Sequence, residues 1–142
     1  MADLIAVRNV VAAAYQPYVP RIGKKPGPML DDYRKRITDG QVWVLAGSDG
    51  IVGILVLEKT PGQFLLDNIA VAPGHQGKGL GRILLEFAEA EAVQGGYDEI
   101  CLYTHAMMTE NIALYDRIGY AETARVTEKG FDRVYMAKRL RA

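Results

Sequence analysis

The spacing of apolar residues changes several times along the chain, and each spacing predicts an element. Residues 3–15 repeat apolar side chains at helical intervals, with Asp3 near the start. A second, shorter helix is predicted over about 29–39, ended by Gly40. Between the two helices, residues 16–28 hold four of the six prolines and are predicted to form a loop.

Further along, apolar runs separated by glycine-containing turns predict strands, with two helices among them. The helix over 79–94 is predicted to bury a face that contains Ile83 and Phe87 and to end at Gly95 and Gly96. The predicted strands span 41–46, 51–58, 64–71, 100–104, 120–127 and 131–139, and the last helix spans 110–118. The order α-α-β-β-β-α-β-α-β-β predicts one mixed α/β domain over residues 1–142 with a central sheet.

Composition narrows the function classes. Hydrophobic residues make up 49% of the 142 positions, which is enough for a core. The 17 basic and 17 acidic side chains give no net charge, which disfavours a nucleic-acid-binding protein. The single cysteine, Cys101, excludes an intrachain disulfide. With no apparent targeting peptide or membrane-spanning run, we expect a cytoplasmic protein without membrane or nucleic-acid partners.

A glycine-rich segment, Gln-Gly-Lys-Gly-Leu-Gly-Arg over residues 76–82, stands where the third strand gives way to a helix. The N-terminus of a helix offers free N–H groups and a partial positive charge, and glycines let an anion approach the backbone. Lys78 and Arg82 add positive charge beside it. The segment therefore predicts a diphosphate-binding loop.

Spacing separates this loop from two other phosphate-binding motifs. A P-loop needs four residues between its first glycine and Gly-Lys, whereas Gly74 and Gly77 enclose two. The dinucleotide-binding fingerprint needs glycine at its first, third and sixth positions, and the sixth residue counted from Gly77 is Arg82. The pattern that fits is Gln-x-x-Gly-x-Gly, met by Gln76, Gly79 and Gly81. A tight turn whose glycines serve only packing is the alternative.

This pattern resembles the coenzyme A pyrophosphate loop of the GNAT acetyltransferase superfamily. A second motif of that family is matched by Asn111, Leu114, Tyr115, Gly119 and Tyr120. The resemblance rests on specific motifs over about residues 41–140, which it implies to be a coenzyme A-binding core. Residues 1–40 resemble the family only in the pattern of their predicted elements.

For the fold, the resemblance implies a mainly antiparallel sheet of about six strands with helices on both faces. That sheet is expected to splay between the strands before and after the loop's helix. The family's usual first strand is missing from the predicted order, which leaves an edge strand bare and favours, without requiring, a homodimer.

The resemblance also implies direct acetyl transfer from acetyl-CoA, as co-substrate, to a primary amine of a small molecule or protein, without a metal. A non-catalytic acyl-CoA-binding sensor or regulatory module is the alternative. The backbone of the third strand is expected to pair with the pantetheine. The residues implied to bind acetyl-CoA are Ile69, Ala70, Val71, Gln76, Gly77, Lys78, Gly79, Leu80, Gly81, Arg82, Asn111 and Tyr115.

Tyr115 is implied to be the general acid that protonates the coenzyme A thiolate; an ordinary half-buried aromatic is the alternative. For Asn111, capping its own helix is an equal alternative. The general base stays open between Asp67, expected on the same side of its strand as Ile69, and His105. For both, a structural hydrogen bond is the alternative.

The acceptor amine is expected to contact the two helices and loop of residues 1–40. Candidate contacts are Tyr15, Tyr18 and Arg21, because an arginine there could hold an acidic group of the substrate. Anchoring of the loop against the core explains these side chains equally well.

Overall fold

The computed structural model describes residues 3–48 and 50–140; residues 1–2, 49 and 141–142, and with them the outer limits of the predicted domain, lie outside the description. The predicted helices and strands are present with shifts of a few residues at their ends. The helices are α1 (Leu4–Tyr15), α2 (Val19–Ile22), α3 (Tyr33–Thr38), α4 (Leu80–Gln94) and α5 (Thr109–Arg117). The strands are β1 (Val42–Gly47), β2 (Gly50–Thr60), β3 (Gln63–Val71), β4 (Glu99–His105), β5 (Ala121–Glu128) and β6 (Phe131–Arg139).

The proline-rich segment is more ordered than the predicted loop. Gln16–Tyr18 forms a 3₁₀ turn that leads into α2, and Gly27–Leu30 forms another before α3. Pro17 and Pro20 each occupy the second position of a helical turn, where a missing N–H leaves no hydrogen bond unmade. Treating every proline as a helix breaker was therefore wrong here.

The strands of the described chain form one sheet in the order β1-β2-β3-β4-β6-β5. All neighbours are antiparallel except β3 and β4, whose parallel pairing comprises Leu65 with Cys101 and Leu66 with Leu102. Beyond those pairs the two strands separate, which confirms the predicted splay and fold class. Among the described residues no strand lies beyond β1, so β1 is an edge of the described sheet.

Helices cover both faces of this sheet. On one face α1 packs its apolar side against β2 and β3; on the other, α4 buries Leu84, Leu85, Ala88 and Ala92. The predicted buried face of α4 was partly wrong, since Ile83 and Phe87 are 51% and 40% exposed. Around the helix, Ile83 lies about 100° and Phe87 about 60° from Leu84, the nearest edge of the buried stripe. No helix of the described part combines the length and apolarity needed to cross a bilayer.

A β-bulge interrupts β3 where it begins to leave β4. In the pairing with β2, Val56 lies opposite Asn68 and Leu57 opposite Leu66, so Asp67 is the extra residue. The bulge changes which residues share a face. Leu66 and Ile69, three apart, both pack on the α4 side, whereas the side chains of Asp67 and Asn68 contact α1, α3 or both on the other side. The expectation that Asp67 shares a side with Ile69 was therefore wrong.

Asn68 is almost fully buried, and a chain of hydrogen bonds satisfies its amide. The Tyr15 hydroxyl donates to its Oδ1 at 2.5 Å, and its Nδ2 donates to the Tyr33 hydroxyl at 2.9 Å. The Tyr33 hydroxyl in turn donates to the Pro28 carbonyl oxygen. This chain ties α1, the bulge, α3 and the proline-rich segment together.

We expect Asn68→Ala to lower the free energy of unfolding by about 2 kcal/mol, because it removes one hydrogen bond from each of two tyrosine hydroxyls and leaves a gap in place of the buried amide. Urea denaturation measures the change. Thr38→Ala is the matched control, since it removes an exposed side-chain hydrogen bond to the Arg34 carbonyl and should change stability by about 0.5 kcal/mol or less. Equal effects of the two variants would show that the chain through Asn68 does not stabilise the bulge.

Candidate active site

A cleft of about 490 Å³ opens on the α4 side, where β3 and β4 part. Its walls are the end of β3, the glycine-rich loop, the start of α4 and one side of α5. All the residues predicted to bind acetyl-CoA line this cleft except Lys78, which is exposed outside it. The structure thus brings together two motifs that are about 35 residues apart in sequence.

The three glycines of the loop differ in what they require. Gly77 and Gly79 have left-handed backbones, with φ of 80° and 79°, whereas Gly81 lies within the first turn of α4. A Cβ added at any of them would meet no described atom within 4 Å, so packing within the chain does not explain glycine there. Gly81 has no positive φ, so its backbone conformation does not require glycine. The missing side chain instead leaves open space over the N-terminus of α4.

The start of α4 is suited to an anion. Its N-cap residue, Gly79, supplies no side-chain cap, so the first-turn N–H groups have no such partner. Arg82 lines the cleft beside them. Gln76 also lines the cleft, and its Nε2 donates to the Val71 carbonyl oxygen at 3.1 Å, which ties the loop to the end of β3.

Tyr115 projects from α5 into the base of the cleft. Its side chain is buried, and its ring packs edge-on against Tyr120 with 5.8 Å between the centroids. Its hydroxyl makes no side-chain hydrogen bond with the described residues, yet none of their buried polar atoms is left unsatisfied, so the hydroxyl reaches open space. Burial raises the pKa of Tyr115 to about 12.

Asn111 lies one turn before Tyr115 on the same side of α5. It lines the cleft, and its Nδ2 lies 3.7 Å from the Met108 Sδ. The N-cap position of α5 belongs to Met108, with no side-chain cap. The alternative in which Asn111 caps its own helix is therefore wrong.

A second cavity adjoins this cleft, and we call it the acceptor-side cavity because the acceptor amine is expected near the N-terminal segment that borders it. It is small, about 40 Å³, and lies between the ends of β3 and β4 and the 3₁₀ turn at Gly27. Four residues line both spaces and form their junction: Tyr15, Ile69, Asn111 and Tyr115. Tyr115 therefore borders both spaces.

Asp67 borders the acceptor-side cavity as a firmly held carboxylate. The Tyr103 hydroxyl donates to its Oδ1 at 3.0 Å, and the Arg36 Nη2 lies 3.2 Å from its Oδ2. Burial raises the pKa of Asp67 above its ordinary value, and the ion pair with Arg36 and the hydrogen bond from Tyr103 oppose that rise.

His105 also lines this cavity, in a structural arrangement. Its Nδ1 accepts the backbone N–H of Met107 at 3.0 Å, and its ring packs edge-on against Phe131. A neutral imidazole that accepts at Nδ1 carries its proton on Nε2, so neither nitrogen is free to accept another. Burial lowers the pKa of His105. This arrangement matches the structural alternative for His105.

The three predicted acceptor contacts separate in the structure. Tyr15 lies at the junction, whereas Tyr18 and Arg21 line neither the cleft nor the acceptor-side cavity. Arg21 instead pairs with Glu110 at 2.5 Å and lies over the Tyr18 ring. These two residues anchor α2 to the start of α5, as the loop-anchoring alternative proposed.

A sequence model of the acetyltransferase (GNAT) domain family matches residues 38–122, more than half of the chain. The chain belongs to this family. Streptothricin acetyltransferase of Streptomyces lavendulae is 31% identical over 86 residues, which are 58% of this chain and 46% of that protein. The chain thus spans about half the length of this curated relative.

Solved GNAT structures share the fold. The ribosomal-protein-S18-alanine N-acetyltransferase of Escherichia coli superposes with a TM-score of 0.75, covers 100% of this chain and 90% of its own, and is 23% identical. An N-acetyltransferase of Thermoplasma acidophilum, solved in complex with coenzyme A, superposes with a TM-score of 0.74 and is 19% identical. The match covers 97% of this chain and 93% of that one. The described residues of the present GNAT chain hold no group of three acidic, His or Cys side chains that could bind a metal ion.

Several residues of this GNAT site escaped sequence analysis. Tyr103 alternates with His105 on β4, and that alternation could have placed it on the same face. Arg36 and Asn68 gave no signal, because the first reaches Asp67 from α3 and the second turns inward only through the bulge.

We expect Tyr115 to stay neutral until about pH 12, because burial disfavours its anion. The ultraviolet difference titration between wild type and Tyr115→Phe should show a midpoint near 12; a midpoint at the ordinary value of 10 would contradict it. Since the folded pKa is the higher one, the unfolded chain loses this proton first. The free energy of unfolding should thus fall between pH 10 and 12 more steeply in wild type than in Tyr115→Phe.

Proposed function

We propose that this chain is an N-acetyltransferase that transfers the acetyl group of acetyl-CoA directly to a primary amine of a small molecule or a protein. The observation that carries the proposal is the junction at Tyr115. There an unpartnered hydroxyl borders two spaces. One is the cleft, which contains a helix N-terminus suited to an anion, and the other is the acceptor-side cavity. A direct transfer needs two substrates that meet at one point.

The groups that line the cleft support acetyl-CoA as the co-substrate. The first-turn N–H groups of α4 would hold the diphosphate, with Arg82 adding charge and Gly81 leaving room. The backbone of Ile69, Ala70 and Val71 lies beyond the last pair between β3 and β4. Its N–H groups on that side would be available to the pantetheine and to the thioester carbonyl, whereas the Ile69 and Val71 carbonyl oxygens already accept from the Tyr15 hydroxyl at 3.2 Å and from Gln76 Nε2 at 3.1 Å.

Tyr115 is the proposed proton donor to the departing thiolate. Its raised pKa keeps its proton in place over the working pH range, so it can donate a hydrogen bond throughout. The same burial that weakens Tyr115 as an acid also disfavours a thiolate beside it and so makes that thiolate more basic. The two effects offset each other in the proton transfer.

Asp67 is the proposed proton acceptor for the amine, directly or through one water. It borders the acceptor-side cavity, and its raised pKa favours accepting a proton more than that of an exposed aspartate would. Arg36 and Tyr103 hold its carboxylate in position.

Calorimetric titration with acetyl-CoA, with ATP and NAD as controls, tests the cofactor. Gly81→Ala should fold, because alanine is favoured in helices by about 1 kcal/mol, and should bind acetyl-CoA more weakly than wild type. Gly81→Glu should abolish binding by filling the space and adding negative charge. Gly74→Ala is the matched control, since Gly74 also has open space and no positive φ but does not line the cleft. Wild-type affinity in both Gly81 variants would refute the diphosphate assignment.

Turnover tests the acid. Tyr115→Phe should keep acetyl-CoA affinity and lose about 100-fold or more in kcat with an accepted amine, because general acid catalysis is typically worth that much. Tyr18→Phe removes a hydroxyl outside both cavities and should retain its rate. If Tyr115→Phe turned over as fast as wild type, another group would supply the proton.

A further inference from the structure

Arg36 of α3 lies within reach of three carboxylates at once. Its Nε donates to Asp31 Oδ2 at 3.0 Å, and its Nη1 donates to Glu58 Oε2 at 3.1 Å and to Gln41 Oε1 at 2.8 Å. Its Nη2 lies 3.2 Å from Asp67 Oδ2, and within the described chain this contact is an ion pair that joins none of those hydrogen bonds. The hydrogen bonds of the guanidinium therefore go to residues beside Asp67, while Asp67 receives its positive charge.

We propose that Glu58 and Asp31 are positioning residues that act on Asp67 through Arg36. By sharing the guanidinium, they keep Asp67 oriented and still basic enough to take a proton from the acceptor amine. This inference rests on the proposed function and concerns the same site.

Sharing matters because a close cation makes a carboxylate a poor base. An arginine that pairs with a single carboxylate lowers its pKa by about 1 to 3. Burial raises the pKa of Asp67, whose side chain is 11% exposed, and the charge of Arg36 opposes that rise. The negative charges of Asp31 and Glu58 raise the pKa of Asp67 in turn. The cation thus holds the carboxylate without removing its basicity.

The other charged groups near Asp67 are paired elsewhere or neutral. Arg133 of β6 pairs with Glu128 at 3.0 Å, and Glu128 also accepts a hydrogen bond from the Tyr135 hydroxyl. Lys129 is exposed on the same hairpin. Burial raises the pKa values of the nearby tyrosines, so that they stay protonated: Tyr15, Tyr33 and Tyr103. His105 lines the same cavity as Asp67, so Asp67 has to be followed by a signal of its own.

Glu58→Gln is the variant that tests the inference. The Glu58 side chain is 38% exposed, so the change leaves no deeply buried group without a partner. Glutamine can still accept a hydrogen bond from Arg36 Nη1, while the negative charge is lost. With one carboxylate fewer to share it, Arg36 should favour the ionised form of Asp67 more strongly, and the pKa of Asp67 should fall.

Carbon-13 NMR of the aspartate carboxyl groups measures this directly, with the Asp67 signal assigned by its absence in Asp67→Asn. The titration midpoint of Asp67 should move to lower pH by about half a unit in Glu58→Gln, the scale of a partly exposed ion pair. The acidic limb of kcat, measured with both substrates saturating, should move by the same amount, since Asp67 must be ionised to accept a proton.

Glu122→Gln is the matched control. Glu122 also pairs with an arginine, Arg125 at 2.8 Å, and its side chain is 41% exposed. It lines neither of the two cavities that Asp67 borders. This variant should leave both the Asp67 midpoint and the acidic limb of kcat unchanged.

Tyr103→Phe should move the Asp67 midpoint in the opposite direction. The Tyr103 hydroxyl donates to Asp67 Oδ1 at 3.0 Å, and this hydrogen bond lowers the pKa of Asp67. Its loss should therefore move the midpoint to higher pH. A general loosening of the site would expose Asp67 and lower the midpoint in both variants, so opposite shifts separate the proposed role from a structural one.

The outcomes also separate this inference from the proposed function. If the midpoint of Asp67 does not move in Glu58→Gln, or moves while the acidic limb of kcat stays in place, the inference is overturned and the acetyltransferase proposal stands with another proton acceptor. If the wild-type chain acetylates no amine, the proposed function fails and the inference falls with it. Parallel shifts of the midpoint and the limb, absent in Glu122→Gln, support both.

Discussion

The separation of β3 from β4 after two residue pairs is the constraint on which the rest of this structure depends. A strand between two neighbours ordinarily pairs on both sides, and here one side of β3 beyond Leu66 is left without β4. The bulge at Asp67 turns the strand at that point. The cleft and the acceptor-side cavity both lie where the two strands part.

Such an opening needs support from the surrounding structure, since unpaired backbone and a buried amide are both unfavourable alone. The support comes from polar groups of distant segments. Tyr15 and Tyr33 satisfy Asn68 at the bulge, while Arg36 and Tyr103 hold the neighbouring Asp67. The N-terminal helices thus hold the sheet in its parted form.

Sequence reasoning succeeded where the signal was local. Helical and alternating periodicity placed most elements, and the glycines of residues 76–82 correctly marked the loop that leads into α4, because this signal lies within one short segment. It failed where tertiary contacts decide. Simple alternation put Asp67 on the wrong face because a bulge leaves no mark in a polar-apolar pattern. Arg21 was assigned to the substrate, although its partner is Glu110, which no local pattern links to it.

The position of Tyr115 between two spaces has a consequence for the order of events. The cleft and the acceptor-side cavity share four lining residues and are otherwise bordered by different parts of the chain. Under the proposed function, the two substrates occupy the protein together. The reaction then passes through a ternary complex, with no acetylated form of the protein between its two halves.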